Sequence, residues 1–281
     1  MLELKGLRHA EQALRVTPNS SRALEARGTL RYWKYLQSPE LRPDEQRALL
    51  GDARRDLEAA VRIEPLLASA HSTLSHLLYR EDMSSAMLAA RRAYEADAYL
   101  EAAADVLLRL VLGNYDLENF DQMQRWCEEG ARRFPENFRF TDCGLLMMTT
   151  RQAEPDVERA WRLRARLDSL SPESRREYDQ VRGLALVGGV IARAAGRAAE
   201  ARTLEDSARV VLDRTRGRLT PETAELRELI AHMYTLLGDN QTAIDLLRQH
   251  AAANPGISYE HHWRWRELRG LPEFQPLLEG H

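Results

Sequence analysis

The groups in this chain that could do chemistry are eight histidines, two cysteines, 43 acidic residues and 40 basic ones. Their spacing decides how much of it they can do. His71 and His76 stand five apart, about 140° around a helix, whereas two metal ligands on one helical face need a spacing of four. His261 and His262 are adjacent, beside Glu260, so their side chains diverge, and no further His or Cys joins them in sequence. Cys127 and Cys143 do not make a metal-spaced set; they read as buried thiols, with their pairing left open. Lysine occurs only at positions 5 and 34. That removes any Gly-Lys-Ser/Thr phosphate loop, and Gly188-Gly189 lacks the glycine spacing that cradles a pyrophosphate. A Gly-x-Ser-x-Gly elbow, a His-Arg-Asp loop and an Asp-Phe-Gly motif are also missing. The expectation is a chain with no catalytic residue, no metal and no cofactor, hence not an enzyme.

Charge and composition narrow the alternatives. The net charge of -3 argues against a nucleic-acid partner. Arginine doublets at 54–55, 91–92, 132–133 and 175–176 read as solvated helix surface with local acidic partners rather than as a basic stripe. No apolar run reaches a bilayer's span, since the longest, Leu184 to Ala195, contains Gly188, Gly189 and Arg193. The first residues show no basic region followed by an apolar one, so no secretion signal is read and a cytoplasmic location is expected. With Ala, Leu, Glu and Arg dominant and only 7% aromatic residues, the elements that must position any site are helices.

Those helices repeat. A small or apolar residue stands five positions before a proline in Ala13-Leu-Arg-Val-Thr-Pro18, Ala60-Val-Arg-Ile-Glu-Pro65, Gly130-Ala-Arg-Arg-Phe-Pro135 and Leu167-Asp-Ser-Leu-Ser-Pro172; at Ala93 to Ala98 alanine replaces the proline, and Pro255 closes the series. The unit is about 34 residues with insertions, each a helical hairpin that proline ends. The pattern predicts a lone helix over 2–17, then pairs at 21–36 and 44–63, 67–80 and 83–96, 99–113 and 119–133, 137–150 and 155–169, 173–195 and 197–215, and 221–237 and 240–253. Gln37-Ser-Pro-Glu-Leu-Arg-Pro43 is an insertion. Thr220 reads as an N-cap ahead of Pro221, after a break beginning at Gly217. In Tyr234-Thr-Leu-Leu-Gly-Asp-Asn-Gln-Thr-Ala-Ile-Asp-Leu-Leu, Gly238 permits the turn and Ala243 a close helix crossing. Residues 1–256 form the expected array. Residues 257–281, with Trp263 and Trp265, read as an aromatic cap whose His261 and His262 form a polar rim, and through which two copies could associate.

The set of repeats resembles the tetratricopeptide family. Its second-helix small residue falls on Ala53, Ala86 and Ala243, its later one on Ala13, Ala60, Ala93 and Gly130, while the early first-helix aromatic is replaced by Leu24, His71, Ala104 and Thr141. His71 therefore reads as a core residue. The resemblance implies an all-α, right-handed superhelix of stacked hairpins. The closing Trp, Leu-Arg, Pro-x-Phe and Leu-Leu pattern of 263–278, with Ala26 to Trp33, Ala89 to Leu100 and Trp126 to Pro135, resembles the C-terminal repeat region of bacterial serine/threonine kinases and related regulators. A start half-way through a repeat suggests a module of such a protein, extracytoplasmic where a membrane span separates enzyme from repeats. The family binds extended peptides on exposed first-helix positions of its concave face. Here those positions are Arg22, Glu25, Tyr32, Trp33, His76, Tyr79, Asp105, Arg109, Arg139, Asp142, Glu225, Glu228 and His232. The lysines and asparagines of the family's carboxylate clamp are missing, which argues against chaperone tails. The reading is a scaffold for a protein or peptide partner; a small-ligand sensor or enzyme on the same frame, and a dimerising module, are the alternatives.

Overall fold

A computed structural model describes residues 2–79, 81–194, 196–214, 221–254 and 257–278. They form an all-α fold, with no strand among the described residues. Two compact units divide at 114/115. The first holds α1 (Leu2–Val16), α2 (Ser21–Gln37), α3 (Pro43–Ile63), α4 (Ala68–Leu78), α5 (Met83–Ala96) and most of α6 (Ala103–Asp116). The second holds α7 (Phe120–Arg133), α8 (Phe138–Met148), α9 (Val157–Leu170), α10 (Arg176–Arg193), α11 (Ala198–Arg214), α12 (Pro221–Leu236) and α13 (Asn240–Ala253). It ends in 3-10 turns at Trp263–Trp265 and Pro272–Phe274 and the short α14 (Gln275–Leu278).

The proline repeat has a backbone signature. The residue just before each proline position donates its N–H to the repeat's marker residue four earlier: Thr17 to Ala13 (2.8 Å), Glu64 to Ala60 (2.9 Å), Asp97 to Ala93 (3.1 Å), Phe134 to Gly130 (2.8 Å) and Ser171 to Leu167 (2.9 Å). At four of the five a proline follows, which has no N–H, and the helix stops there, whereas after Asp97 the next residue is Ala98. New helices begin on side-chain caps: Ser20 accepts from Ala23 N, Asp82 from Ser85 N, Asp156 from Arg159 N and Asp239 from Thr242 N. These supply partners for first-turn donors that a helix leaves bare. The largest departure from the expected boundaries is of four residues. The first helix of the third pair begins at 103 rather than 99, because Asp97 Oδ1 accepts from Tyr99 N (2.8 Å) and Leu100 O accepts from Ala103 N (2.8 Å), making a side-chain-bonded turn that delays it. The break at 217, the Thr220 cap and Pro255 lie outside the described residues, although α12 does open on Pro221.

Packing follows the small residues. Ala53, Ala60, Ala86, Ala93 and Ala243 are fully buried, and a Cβ on Gly130 would stand 2.0 Å from the Phe140 ring. Only a hydrogen side chain lets α7 and α8 approach so closely. Ala13 departs from this pattern: it is exposed, and α1 buries Ala10 and Leu14 instead. Gly238 has φ +74, the left-handed turn residue between α12 and α13. His71 is buried, its Nε2 lying 2.9 Å from Pro65 O. Three of the four doublets find local acids, Arg54 with Glu58, Arg55 with Asp52, Arg132 with Glu129 and Arg175 with Asp179. The cysteines correct the expectation of free thiols. Cys127 on α7 and Cys143 on α8 form a disulfide with Cα atoms 6.1 Å apart. The close approach at Gly130 is what brings their helices within reach.

Glu205 on α11 is fully buried, and neither of its carboxyl oxygens has a partner among the described residues. It occupies room left by Gly188 of α10, where a Cβ would lie 2.2 Å from Oε1. Burial, and then the charge of Asp206, push its pKa well above the ordinary carboxyl value. The native state therefore favours the protonated acid, so its stabilisation is full below the unfolded pKa and is lost as pH rises through the folded one. Glu205→Gln should leave the melting temperature near wild type at pH 4.5 and raise it by about 2–4 °C at pH 8, as read by calorimetry. A variant that melts lower at pH 8 would mean that the carboxylate is charged and partnered.

Candidate functional site

In the first unit the first-helix face is built from α2, α4 and α6. Arg22 is exposed and held between Glu64 (3.1 Å) and Glu25 (3.8 Å). Trp33, at 45% exposure, faces solvent. Tyr32 does not: it is 5% exposed, with His76 edge-on at 5.4 Å and Tyr35 stacked at 6.3 Å. Packing of α2 on α4 covers it, so it is a core residue and not a surface contact. His76 and Asp105 are exposed and Tyr79 is half-buried. Arg109 reaches back from α6 to α4, donating to Ser72 Oγ (2.9 Å) and Ser72 O (3.3 Å), which ties two first helices together. Tyr99, 91% exposed, escaped the sequence reading because it lies in the turn that displaced the start of α6.

In the second unit the same face is occupied by the chain itself. Residues 262–265 fold back over it, while Tyr259 and Glu273 of the same segment lie against α13. Tyr259, Trp265, Leu268 and Phe274 are buried, Trp265 edge-on to Tyr259 at 6.1 Å. Further along, Trp263 Nε1 donates to Tyr115 O (2.8 Å), and its ring meets Tyr115 (5.1 Å), Phe120 (5.2 Å) and His232 (5.3 Å) edge-on. His262 Nε2 lies 3.2 Å from Asp116, and Arg266 pairs with Glu118. His262 is thus a packed residue rather than part of a polar rim, whereas His261 is exposed beside Glu260. A segment expected to cap the end of the array reaches residues about 150 positions earlier in the chain.

This arrangement fixes the sequence-identified residues of the second unit. Arg139 is exposed at the start of α8. Asp142 accepts from Arg182 Nε (2.7 Å) and Nη2 (2.9 Å), and Glu225 lies 3.8 Å from the same guanidinium. Glu228 accepts from Arg264 (2.7 Å) of the returning segment. His232, 2% exposed, lies beneath both Trp263 and Trp265, so it too is interior rather than surface. Burial, then the charges of Arg264 and His262, lower the His232 pKa well below the imidazole value. Burial likewise lowers His250, whose Nδ1 is 2.7 Å from the Tyr259 hydroxyl, and His262, where it outweighs Asp116. Tyr115 is pushed up to about 12, chiefly by burial. The segment therefore docks on neutral rings, with Arg264 and Arg266 making its ion pairs to the array.

No group of three or more His, Cys, Asp or Glu side chains suited to a metal occurs among the described residues. No described helix is long and apolar enough to cross a membrane. No protein-family model matches the chain, and no curated protein is similar to it. Among solved structures, the APC/C hetero-tetramer Cut9–Hcn1 matches over 90% of this chain and 50% of that one, at 14% identity and TM-score 0.50. Yeast Tom70 matches over 89% and 55% at 15% identity and TM-score 0.45, and Naa15/Naa10 bound to HypK-THB over 91% and 35% at 14% and 0.45. The chain spans about half the length of these chains or less. At such identity the likeness speaks to the fold alone. With the hairpin register above, the match to Cut9–Hcn1 supports a tetratricopeptide-like fold of helical hairpins.

The Arg264–Glu228 pair is largely buried, at 12% and 19% side-chain exposure. Removing one partner strands a charge, while removing both does not. In urea unfolding, Glu228→Gln alone should cost about 3 kcal/mol, with a coupling of roughly 1–3 kcal/mol in the cycle with Arg264→Gln. Zero coupling would mean that aromatic burial alone holds the segment.

Proposed function

We propose that this chain is a non-enzymatic scaffold that binds a protein or peptide partner on its first-helix face, as a module of a bacterial signalling or regulatory protein. The supporting observation is the docked segment itself. A face built by these first helices takes a polypeptide through aromatic anchors, a buried arginine–carboxylate pair and an indole N–H donated to a main-chain oxygen. Large rings and arginine are the side chains that dominate such recognition. In the first unit the corresponding face carries Arg22, Glu25, Trp33, His76, Tyr79 and Asp105. That mixture of charge and ring suits a polar peptide with apolar anchors, and it is where an outside partner finds room. In the second unit Glu228 and His232 already hold the chain's own residues 263–265.

Two companion readings shift weight. The aromatic residues that would join two copies through the terminal segment are buried within the unit, which speaks against a dimer formed that way. A disulfide persists in oxidising compartments, so Cys127–Cys143 favours an extracytoplasmic location over the expected cytoplasmic one. The bacterial setting rests on the resemblance of residues 26–33, 89–100, 126–135 and 263–278 to kinase-associated repeat regions.

Affinity capture from the source organism, with the wild-type chain as bait beside an Arg22→Glu/Trp33→Ala double variant, tests the assignment. A partner retained by wild type and reduced at least about tenfold by a variant of unchanged melting temperature is the expected result. A partner retained equally by both would move the site off the first unit's face.

A further inference from the structure

The second unit contains a cavity of about 240 Å³ between the ends of α8, α10 and α12 and the returning segment. Four of its lining residues are arginines: Arg151 and Arg193 from the array, Arg264 and Arg266 from the segment. Their acidic partners are shared or distant. Arg151 (2.5 Å) and Arg266 share the single carboxylate of Glu118. Arg264 has Glu228. Arg193 bonds only carbonyl oxygens, Met148 O at 2.6 Å and Ala153 O at 2.8 Å, with Glu154 acting on it from a distance. Glu118 and Glu228 pair with three of the four guanidinium groups, exposed Glu267 stands at the rim, and Glu154 and Asp116 act on Arg193 and Arg264 from a distance, so among the described residues Arg193 is the one of the four with no carboxylate in direct contact. Neutral His232 adds no charge. The rest of the wall is Thr149, Thr235, Leu236 and the Trp263 ring, a mixture of hydroxyl and flat apolar surface. His232 Nε2 is buried without a hydrogen-bond partner among the described residues.

The turn that carries Glu118 is also unusual. Its φ is +57, the left-handed conformation that Gly196 and Gly238 adopt in two other hairpin turns. A glutamate there costs about 1 kcal/mol or more of backbone strain relative to glycine. That strain is retained at the residue whose carboxylate holds Arg151 and Arg266 together.

We infer that this cavity is a binding site for a small organic anion, a phosphate or carboxylate group carried on a flat apolar body. The oxyanion lies between Arg151 and Arg193 on one side and Arg266 and Arg264 on the other, where planar guanidinium groups bond oxyanions in pairs. The apolar body lies against Trp263 and Leu236. The space accommodates roughly ten non-hydrogen atoms, at the small end of ligand sites. Because half of the arginines belong to the segment and half to the array, the bound anion staples one to the other. A free small molecule is the occupant, since the segment itself closes the cavity on one side. The inference is independent of the partner assigned to the first unit.

Isothermal titration of the full chain with phenyl phosphate, inorganic phosphate and benzyl alcohol provides the test. Phenyl phosphate should bind with Kd below about 1 mM and raise the melting temperature; inorganic phosphate should bind more weakly, and benzyl alcohol not at all at that concentration. Arg151→Gln/Arg266→Gln should weaken phenyl phosphate at least about tenfold, and Glu267→Gln, which removes the rim carboxylate, should strengthen it by about threefold. Should the double variant unfold early, the Glu267→Gln comparison decides by itself. No binding at about 10 mM, equal binding by wild type and the double variant, or equal stabilisation of both by sulfate would overturn the site.

Discussion

A two-helix hairpin can bury only one of its apolar faces against itself, so each hairpin here needs another element laid against it. Most of the structure follows from that requirement. The fully buried alanines at 53, 86 and 243 and the glycine at 130 lie where helices must approach closely, and the proline-spaced stops keep each helix short enough to return. At the last hairpin the covering element is an irregular one. Tyr259, Trp265, Leu268 and Phe274 close over α12 and α13, and Trp263 carries the same segment on to Tyr115 and Phe120.

The requirement also explains where charge could survive inside. Glu205 persists because Gly188 leaves it space and burial leaves it protonated. Arg182 and Arg264 persist because each meets carboxylates on neighbouring first helices. Arg193 is different. Its direct partners are carbonyl oxygens, and it borders a cavity with three more guanidinium groups. Buried cations are ordinarily paired, so a partly buried Arg193 with no carboxylate in direct contact among the described residues is the feature of the second unit that packing alone does not account for.

Much of the fold was legible in the residues. The marker residue five positions before a proline, or before Ala98 in its place, predicted five of the backbone stops, and most helix ends lie within a residue or two of the expected ones, because local capping chemistry decides them. The site was less legible, for a physical reason. Whether a first-helix position is exposed depends on what lies over it, and for His232 that cover comes from Trp263, thirty-one residues later in a segment without helical period. Tyr32 is hidden by His76 of another helix in the same way. Disulfide pairing needs the distance between two helices, which their spacing of sixteen residues does not supply. The start of α6 moved because Asp97 bonds its own backbone two residues on, a local alternative to helix that a repeat alignment overlooks.

Native-state hydrogen exchange, compared between the full chain and a chain ending at residue 256, tests the claim that the returning segment is the covering element of the last hairpin. Amides of α12 and α13 should lose protection in the shortened chain, along with those flanking Tyr115 and Phe120, while α2 to α5 exchange as before. Unchanged protection in α12 and α13 would contradict the account, because it would mean that the last hairpin stands without its cover.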